Sequence, residues 1–279
     1  METFGTRLTR ALAQRGPLCV GVDPHASLLA RWGLTDDADG LARFSATVVA
    51  ALAERVAVFK PQSAFYERFG ARGIAVLEST IRQLRDAGAL VLLDVKRGDI
   101  GSTMAAYASA YLDPTSPLYA DAITASPYLG VGSLGPLLDA AAAHRGGAFV
   151  LAFTSNPEGA QFQRAVTADG RTVGQTVIDE ISQLNAGARP LGSIGVVLGA
   201  TVAGGPVDIA ALNGPVLVPG MGAQGGTPDS LRAAVGDVTA GVLPSYSREL
   251  LTCGPGVPGL RDAADRARAA CAAALAPSV

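Results

Sequence analysis

A compact group of charged residues ends one strongly apolar segment of the sequence. Leu90–Ile100 reads LVLLDVKRGDI. Asp94 and Lys96 stand two residues apart, and Asp99 follows past a glycine. Side chains alternate along a β-strand, so Asp94 and Lys96 are expected to point to the same side. A protonated lysine fixed beside a carbanion can stabilise the developing charge and then protonate it. The spacing therefore indicates a catalytic centre.

A second lysine, Lys60, ends the preceding apolar run and can add another ammonium to this group. Neighbours of opposite charge would hold each of these groups in its ionised form. A carboxylate facing a substrate carboxylate would also favour departure of that group as CO₂. The other interpretation is a structural ion pair, because ion networks form outside active sites too. An isolated Asp–Lys pair would favour the structural interpretation, whereas Asp-x-Lys-x-x-Asp with a second lysine favours catalysis.

The elements that must position these residues form a repeating pattern. Eight short runs are mostly apolar throughout, which is typical of parallel strands buried on both faces. The runs are Leu18–Asp23, Val56–Lys60, Leu90–Lys96, Ala122–Ser126, Ala148–Ser155, Ile194–Gly199, Val216–Pro219 and Gly241–Ser247. Segments with helical periodicity lie between them: Leu41–Arg55, Gly73–Ala87, Thr103–Tyr111, Leu134–Arg145, Val173–Asn185 and Pro228–Val235. This alternation predicts an α/β protein with one (β/α)₈ barrel, a TIM barrel, over residues 1–279.

Polar residues gather where the predicted strands end, which is the rim that carries the active site in α/β barrels. They are Asp23, Lys60, Asp94, Lys96, Ser126, Ser155 and Arg248. Core packing does not explain clustering at one end of most strands. The stretch Asn156–Arg171 is longer than a usual βα loop and is predicted to cover part of the site. The alanine-rich segment Asp262–Ala276 is predicted to be a closing helix.

Composition argues against several classes of protein. The net charge is −2 and no Lys/Arg-rich run occurs, which argues against a nucleic-acid partner. No apolar run reaches about 18 residues, and the amphipathic first segment does not resemble a signal peptide. Cys19, Cys253 and Cys271 are few and widely spaced, which disfavours disulfides and zinc and fits a reducing cytoplasm.

A glycine-rich turn, Gly220–Gly226, follows the seventh predicted strand, where α/β barrels often bind phosphate. Arg248, after the next strand, can supply a bidentate donor to that phosphate. The turn also fits Gly-x-Gly-x-x-Gly, as does Gly130–Gly135, but a dinucleotide site needs an acidic residue at the end of the next strand. Ser155 and Arg248 stand there instead. A tight turn without a ligand is the alternative.

The two histidines carry little information. His25 follows the first predicted strand, and a position on a surface loop is favoured over one lining the site. His144 falls near a helix C-terminus, where it would interact favourably with the helix dipole. No histidine–cysteine cluster occurs, so no metal is expected.

The segment Asp94–Thr103, DVKRGDIGST, resembles the Asp-x-Lys-x-x-Asp-Ile-x-x-Thr signature of the orotidine 5′-monophosphate decarboxylase family. Four further matches follow the family's order along the chain. GVDP resembles its first-strand aspartate, and FKPQSAFYE its second-strand lysine segment in a branch found in many bacteria. VPGMGAQGG resembles its seventh-strand segment, and Ser247–Arg248 its eighth-strand arginine.

This resemblance implies a homodimer that converts orotidine 5′-monophosphate to uridine 5′-monophosphate, the last step of UMP synthesis, with no metal or organic cofactor. It implies that Lys96 protonates C6 of the pyrimidine after CO₂ leaves. Asp94 would lie against the substrate carboxylate, and Lys60 would join the network and contact the ribose. Asp99 would belong to the same charged group, contributed by the partner subunit.

The resemblance also implies a set of substrate-binding residues: Asp23, Ile100, Thr103, Ser155, Pro219, Gly220, Gln224, Ser247 and Arg248. Among them Asp23 would bind a ribose hydroxyl, while Gln224 and Arg248 would hold the phosphate. Ile100 and Thr103 would come from the partner subunit. Ser155 is the best match to the residue that contacts the pyrimidine, with Ser126 as a rival.

Two alternative functions remain. A sugar-phosphate enzyme, such as a 3-keto-gulonate 6-phosphate decarboxylase or a hexulose-phosphate synthase, resembles the chain in its Asp-x-Lys-x-x-Asp core but uses Mg²⁺ and an enediolate. Ile100, Thr103 and the FKPQ segment favour the orotidine interpretation. A catalytically silent nucleotide sensor would be expected to lack an Asp or Lys of the cluster, and none is lost here.

Overall fold

Eight parallel strands close into a barrel in chain order, with the last strand hydrogen-bonded to the first. The computed structural model describes residues 2–202 and 207–276. The strands are β1 (Cys19–Val22), β2 (Val58–Pro61), β3 (Leu90–Arg97), β4 (Ala122–Ala125), β5 (Gly147–Phe153), β6 (Ile194–Leu198), β7 (Val216–Pro219) and β8 (Val242–Tyr246). Every predicted apolar run overlaps one of them, and β2, β3 and β5 each extend one residue beyond the predicted bounds. The predicted (β/α)₈ barrel is confirmed.

Helices cover the outside of the barrel and one of its ends. They are α1 (Phe4–Arg15), α2 (Ala26–Arg31), α3 (Ala38–Leu52), α4 (Ala64–Glu67), α5 (Gly70–Asp86), α6 (Gly101–Leu112), α7 (Gly135–His144), α8 (Ala160–Gln163), α9 (Val173–Leu184), α10 (Pro228–Val235), α11 (Arg248–Leu251) and α12 (Val257–Ala274). Short 3₁₀ turns occupy Val131–Leu134 and Pro157–Gly159. Among the described residues no helix has the length and apolarity to cross a membrane.

Helix ends differ from the predictions where a cap or a proline sets them. Helix α3 begins at Ala38, three residues before the predicted start. The Asp37 side chain caps it by accepting from the backbone N–H groups of Asp39 and Gly40, at 3.0 and 2.8 Å. The closing helix α12 begins at Val257 rather than at Asp262, with a proline in its first turn.

Alternation along the strands separates two apolar layers. On β3, Val91, Leu93 and Val95 face outward into the layer between the strands and the helices. Leu90 and Leu92 face inward and belong to a second buried cluster inside the barrel. Asp94 and Lys96 continue this inward file toward the carboxyl end of the strand, so the predicted direction of both charged side chains is correct.

Helix α1 closes the end of the barrel opposite the rim. Its Phe4 and Leu8 are buried in the inner cluster, and the Phe4 ring meets the Phe149 ring edge-on, with centroids 6.1 Å apart. Gly147 leaves room for this contact, because a Cβ there would lie 2.5 Å from the Phe4 ring. Among the described residues the lumen is therefore apolar and sealed at this end, and its other end is open to a ligand.

A buried carboxylate, Asp121, fastens α1 to the strands. It accepts a hydrogen bond from Arg7 of α1 and another from the backbone N–H of Val91 at 2.9 Å. Arg85 of α5 approaches the same carboxylate at 3.5 Å. One side chain thus connects the sealing helix, an outer helix and the strand that carries Asp94.

We expect Asp121→Ala to lower the free energy of unfolding by about 3 kcal/mol, because it leaves an arginine and a buried N–H without their acceptor. Urea unfolding measures the change. Asp265→Ala is the matched control, since Asp265 pairs with Arg55 and Arg268 on the exposed face of α12. Exposed pairs contribute less than about 1 kcal/mol. Equal losses in the two variants would contradict this role for Asp121.

Candidate active site

The inward-facing residues change from apolar to polar toward the carboxyl ends of the strands. A cavity of about 320 Å³ lies there. Ten residues predicted for the site line it: Asp23, Lys60, Asp94, Lys96, Ser155, Pro219, Gly220, Gln224, Ser247 and Arg248. These residues lie on or after six different strands, and the closed barrel brings them to one rim.

Asp94 lies between the two lysines. Lys60 Nζ donates to Asp94 Oδ2 at 3.0 Å, and Lys96 Nζ donates to Asp94 Oδ1 at 2.6 Å. The Lys60 and Asp94 side chains are buried, whereas that of Lys96 is 45% exposed. One carboxylate therefore fixes both ammonium groups, and Lys96 is the lysine most open to a ligand.

This arrangement keeps the pair Lys60 and Asp94 charged despite burial. Burial alone raises the pKa of Asp94, but Lys60, Lys96 and a hydrogen bond from Thr124 outweigh it and lower that pKa to about 2. Burial likewise lowers the pKa of Lys60, but Asp23 and Asp94 overcome it, so that pKa lies above its ordinary value. Both groups are ionised at neutral pH.

Lys60 and Lys96 are the only lysines among the 22 Lys and Arg residues of the sequence. Elsewhere the chain uses arginine, whose guanidinium does not release its proton in proteins. A lysine ammonium can give up its proton and take one back. Both lysine side chains of the sequence therefore contact one carboxylate, at the base of the cavity.

Strand β3 is irregular where it presents Lys96. Leu93 pairs with Ile123 and Arg97 pairs with Ala125, so residues 94–96 face a single residue of β4. Lys96 has a φ of +46°, in the left-handed region that non-glycine residues seldom adopt. Bulges and strained backbone of this kind are common at functional sites, where they re-aim a side chain.

The residue opposite this bulge is Thr124, which the sequence analysis missed. It is fully buried and lines the cavity. Its hydroxyl donates to Asp94 Oδ1 at 2.8 Å and accepts the backbone N–H groups of Val95 and Lys96 at 3.0 and 2.9 Å. In the sequence, Thr124 is marked only as a single hydroxyl residue on the inward side of β4. Threonine is common in strands, so this position does not stand out as functional.

Two buried polar atoms after β1 and β8 have no hydrogen-bond partner among the described residues: Asp23 Oδ1 and Ser247 Oγ. Gly21 lets these side chains converge, since a Cβ there would lie 2.7 Å from Ser247 Cβ and 2.9 Å from Asp23 Oδ2. Buried polar atoms normally have partners, so this pair is suited to a ligand hydroxyl.

The glycine-rich turn after β7 forms the wall of the cavity opposite the Lys60–Asp94–Lys96 group. Gly220, Gly222 and Gly225 all have positive φ, and Gly226 N–H donates to Gly220 O at 2.9 Å. A Cβ on Gly220 would lie 3.1 Å from Gln224 Oε1 and 3.5 Å from Ser155 Oγ. The turn, Gln224 and Ser155 thus converge on one wall of the cavity.

Ser155 and Ser126, the two candidates for the pyrimidine contact, lie in different surroundings. Ser155 lines the cavity, whereas Ser126 supports the bulge by donating its N–H to Arg97 O at 2.8 Å. A Cβ on Gly98 would lie 2.3 Å from the Ser126 carbonyl oxygen.

The placement of His25 on a surface loop was wrong: it lines the cavity, with its ring 4.3 Å from that of Phe65. The direction of a loop side chain depends on tertiary contacts that spacing does not reveal.

The three residues assigned to a partner subunit lie outside this chain's own cavity. Asp99 is half-buried, and Ile100 and Thr103 are exposed, at the start of α6. Asp99 Oδ1 accepts the N–H of Ile100 at 2.8 Å. Of the long segment predicted to cover the site, Asn156 lines the cavity. Within residues 2–202 and 207–276, no group of three or more His, Cys, Asp or Glu side chains is arranged to hold a metal ion.

Together these features define a closed (β/α)₈ barrel with a Lys–Asp–Lys group at the open end of its lumen. The chain belongs to the Orotidine 5′-phosphate decarboxylase / HUMPS family, whose model matches residues 16–241.

Relatives of known name match over nearly the full length. An orotidine 5′-phosphate decarboxylase from Salinispora arenicola is 69% identical over 278 residues, which is 100% of each chain. One from Streptomyces coelicolor is 59% identical and covers 95% of this chain and 96% of its own. A crystal structure from Streptomyces avermitilis has a TM-score of 0.96 at 57% identity, covering 99% of this chain and 97% of its own. The Leishmania donovani OMP decarboxylase has a TM-score of 0.77 at 30% identity, covering 99% and 100%.

The lowered pKa of Asp94 predicts a pH dependence of stability. A carboxyl whose pKa is lower in the folded state stabilises the fold above its unfolded pKa, and this contribution disappears as the pH falls through the folded value. Between about pH 4 and about pH 2, wild type should therefore lose more unfolding free energy than Asp94→Asn. Urea unfolding at several pH values measures both slopes. Parallel slopes would show that Asp94 does not carry the lowered pKa.

Proposed function

We propose that this chain decarboxylates orotidine 5′-monophosphate to uridine 5′-monophosphate and CO₂, the last step of UMP synthesis. The observation that carries the proposal is the Lys60–Asp94–Lys96 group at the base of a cavity whose far wall is the glycine-rich turn. The names and full-length similarity of the Salinispora and Streptomyces coelicolor relatives support it. We also propose that residues 1–279 act as one catalytic domain.

The cavity suggests how the substrate lies. Its phosphate would bind at Pro219, Gly220 and Gln224, with Arg248 as a charged donor at the same wall. The ribose hydroxyls would meet the unpaired atoms of Asp23 and Ser247, and Lys60. The pyrimidine would lie against Ser155, with its carboxylate toward Asp94. Binding of the remote phosphate would help to hold the base in this position.

Lys96 supplies the proton in this proposal. When the bond between C6 and the carboxylate breaks, its electron pair remains on C6 and CO₂ departs. The Lys96 ammonium stabilises that charge and donates a proton to C6, forming the C–H bond of the product. The neutral amine then regains a proton from solvent. Asp94 fixes the ammonium and repels the substrate carboxylate, which favours the bond cleavage.

We expect Lys96→Ala to lower kcat by at least about 10³-fold while the protein remains folded. Lys96→Arg should be similarly inactive, because it keeps the charge but has no proton to give. The fall in ultraviolet absorbance as orotidine monophosphate is consumed measures turnover.

Arg72→Ala is the matched control, since Arg72 forms an exposed ion pair with Asp39 on the outer helices. Near-normal turnover by Lys96→Ala would overturn the mechanism. Activity that EDTA abolishes and Mg²⁺ restores would favour the sugar-phosphate alternative over the orotidine one.

The site is proposed to be shared between two copies of this chain. Large apolar side chains are exposed on three consecutive loops of the rim, after β3, β4 and β5: Ile100 is 62% exposed, Tyr128 78% and Phe162 55%. The Tyr128 and Phe162 rings lie 6.0 Å apart. Exposed apolar groups of this size are typical of interaction surfaces. A second copy covering them would bring Asp99, Ile100 and Thr103 to its neighbour's cavity.

A complementation experiment tests the shared site. Inactive Lys96→Ala and Asp99→Ala chains, mixed and allowed to exchange, should recover up to about a quarter of wild-type activity, because half of the dimers are hybrids with one intact site. The control is a mixture of Lys96→Ala and Asp94→Asn chains, which should stay inactive because both residues serve the same chain's site. Demonstrated exchange with no recovery would exclude sharing.

We further propose a cytoplasmic location. Cys19, Cys253 and Cys271 are free thiols, which supports a reducing compartment.

A further inference from the structure

The bulge in β3 interrupts the backbone hydrogen bonds between β3 and β4 at the residues next to and including Lys96. In a regular parallel ladder the backbone N–H groups of β3 would alternate between carbonyls of β2 and carbonyls of β4. Residues 94–96 interrupt that ladder because they face Thr124 alone. Backbone N–H groups at such an interruption need another acceptor, because N–H groups removed from water are normally paired.

The Thr124 hydroxyl accepts two of these N–H groups and also donates a hydrogen bond to Asp94. A hydroxyl has one proton to donate and two lone pairs. In Thr124 both lone pairs are used by the N–H groups of Val95 and Lys96, at 3.0 and 2.9 Å. Its proton is directed to Asp94 Oδ1 at 2.8 Å. One buried atom therefore joins the backbone that carries Lys96 to the carboxylate that holds the Lys96 ammonium.

Asp94 is oriented by three donors in all. Lys60 binds Oδ2, whereas Lys96 and Thr124 share Oδ1. Lys60 and Lys96 both end in ammonium groups on flexible stems, so neither by itself defines the plane of the carboxylate. Thr124 is different, because its χ1 is restricted by β-branching and its hydroxyl is fixed by the two backbone bonds.

We propose that Thr124 is a positioning residue for the proton transfer: its hydroxyl fixes the left-handed backbone of Lys96 and the plane of Asp94 together. The Lys96 ammonium is thus held at one place over the substrate carbon. This inference rests on the proposed role of Lys96 as proton donor. Thr124 itself transfers no proton, since its only one is committed to Asp94.

The test separates the hydroxyl from the shape of the side chain. Thr124→Val keeps the shape and removes the hydroxyl, whereas Thr124→Ser keeps the hydroxyl and removes a methyl group. We expect Thr124→Val to lower kcat by about 10- to 100-fold, the effect of misplacing a reacting group by a fraction of an ångström to an ångström. KM and the inhibition constant of uridine 5′-monophosphate should stay within about threefold, because ground-state binding does not use this contact. Thr124→Ser should retain kcat within about threefold.

Thr80→Val is the matched control for loss of a buried hydroxyl. Thr80 is buried in α5 and donates to Val76 O at 2.8 Å, away from the cavity. It should lose stability without losing kcat, so thermal unfolding of all variants separates the two effects. If Thr124→Val does not fold, the kcat of Thr124→Ala is compared with that of Thr124→Ser instead. The alanine variant is then expected to show the loss of kcat.

Wild-type kcat in Thr124→Val or Thr124→Ala would overturn the inference. So would a serine variant as slow as the valine variant, since the methyl group rather than the hydroxyl would then matter. Lys96→Ala is measured in parallel. If it keeps turnover, the proposed function fails. If it is inactive while Thr124→Val is normal, only the role of Thr124 fails.

Discussion

A carboxylate buried between two ammonium groups is the interaction on which the rest of this site depends. Taking Asp94 out of water is unfavourable unless its charge is compensated and its oxygens are hydrogen-bonded. Lys60, Lys96 and Thr124 meet both needs, and the depressed pKa of Asp94 reflects their combined effect. The same compensation keeps Lys60 charged. Each group requires the others, so the network behaves as one unit whose geometry is set before a ligand arrives.

The barrel provides what this network needs. Closure in chain order places the ends of β2, β3 and β4 side by side, so that side chains distant in sequence meet at one point. Alternation gives each strand an apolar outward face for the helices, while its inward file runs from apolar residues to polar ones. Helix α1 seals the apolar end of the lumen with Phe4 and Leu8. The polar end is the open one, and the charges gather there.

The sequence predicts much of this, for identifiable reasons. The alternation in Leu90–Lys96 predicts the direction of Asp94 and Lys96 because one face of the strand must pack against helices. The bulge is not predictable, since no glycine marks the left-handed position at Lys96. Thr124 is missed because threonine is common in strands and only its contacts across to β3 reveal its role. His25 is misplaced because a loop side chain follows tertiary packing and not periodicity.

The concentration of lysine in the site has a practical meaning for the chemistry of the whole molecule. Apart from a terminal amine, the only primary amines of this chain are those of Lys60 and Lys96, and Lys60 is buried. Acylating reagents, reductive methylation and amine-directed cross-linkers therefore find almost no target on the outer surface. Labelling that reaches a side chain would report on the accessibility of Lys96, and an occupied cavity would protect it. An ordinary amine reagent thus becomes a selective probe of this one position.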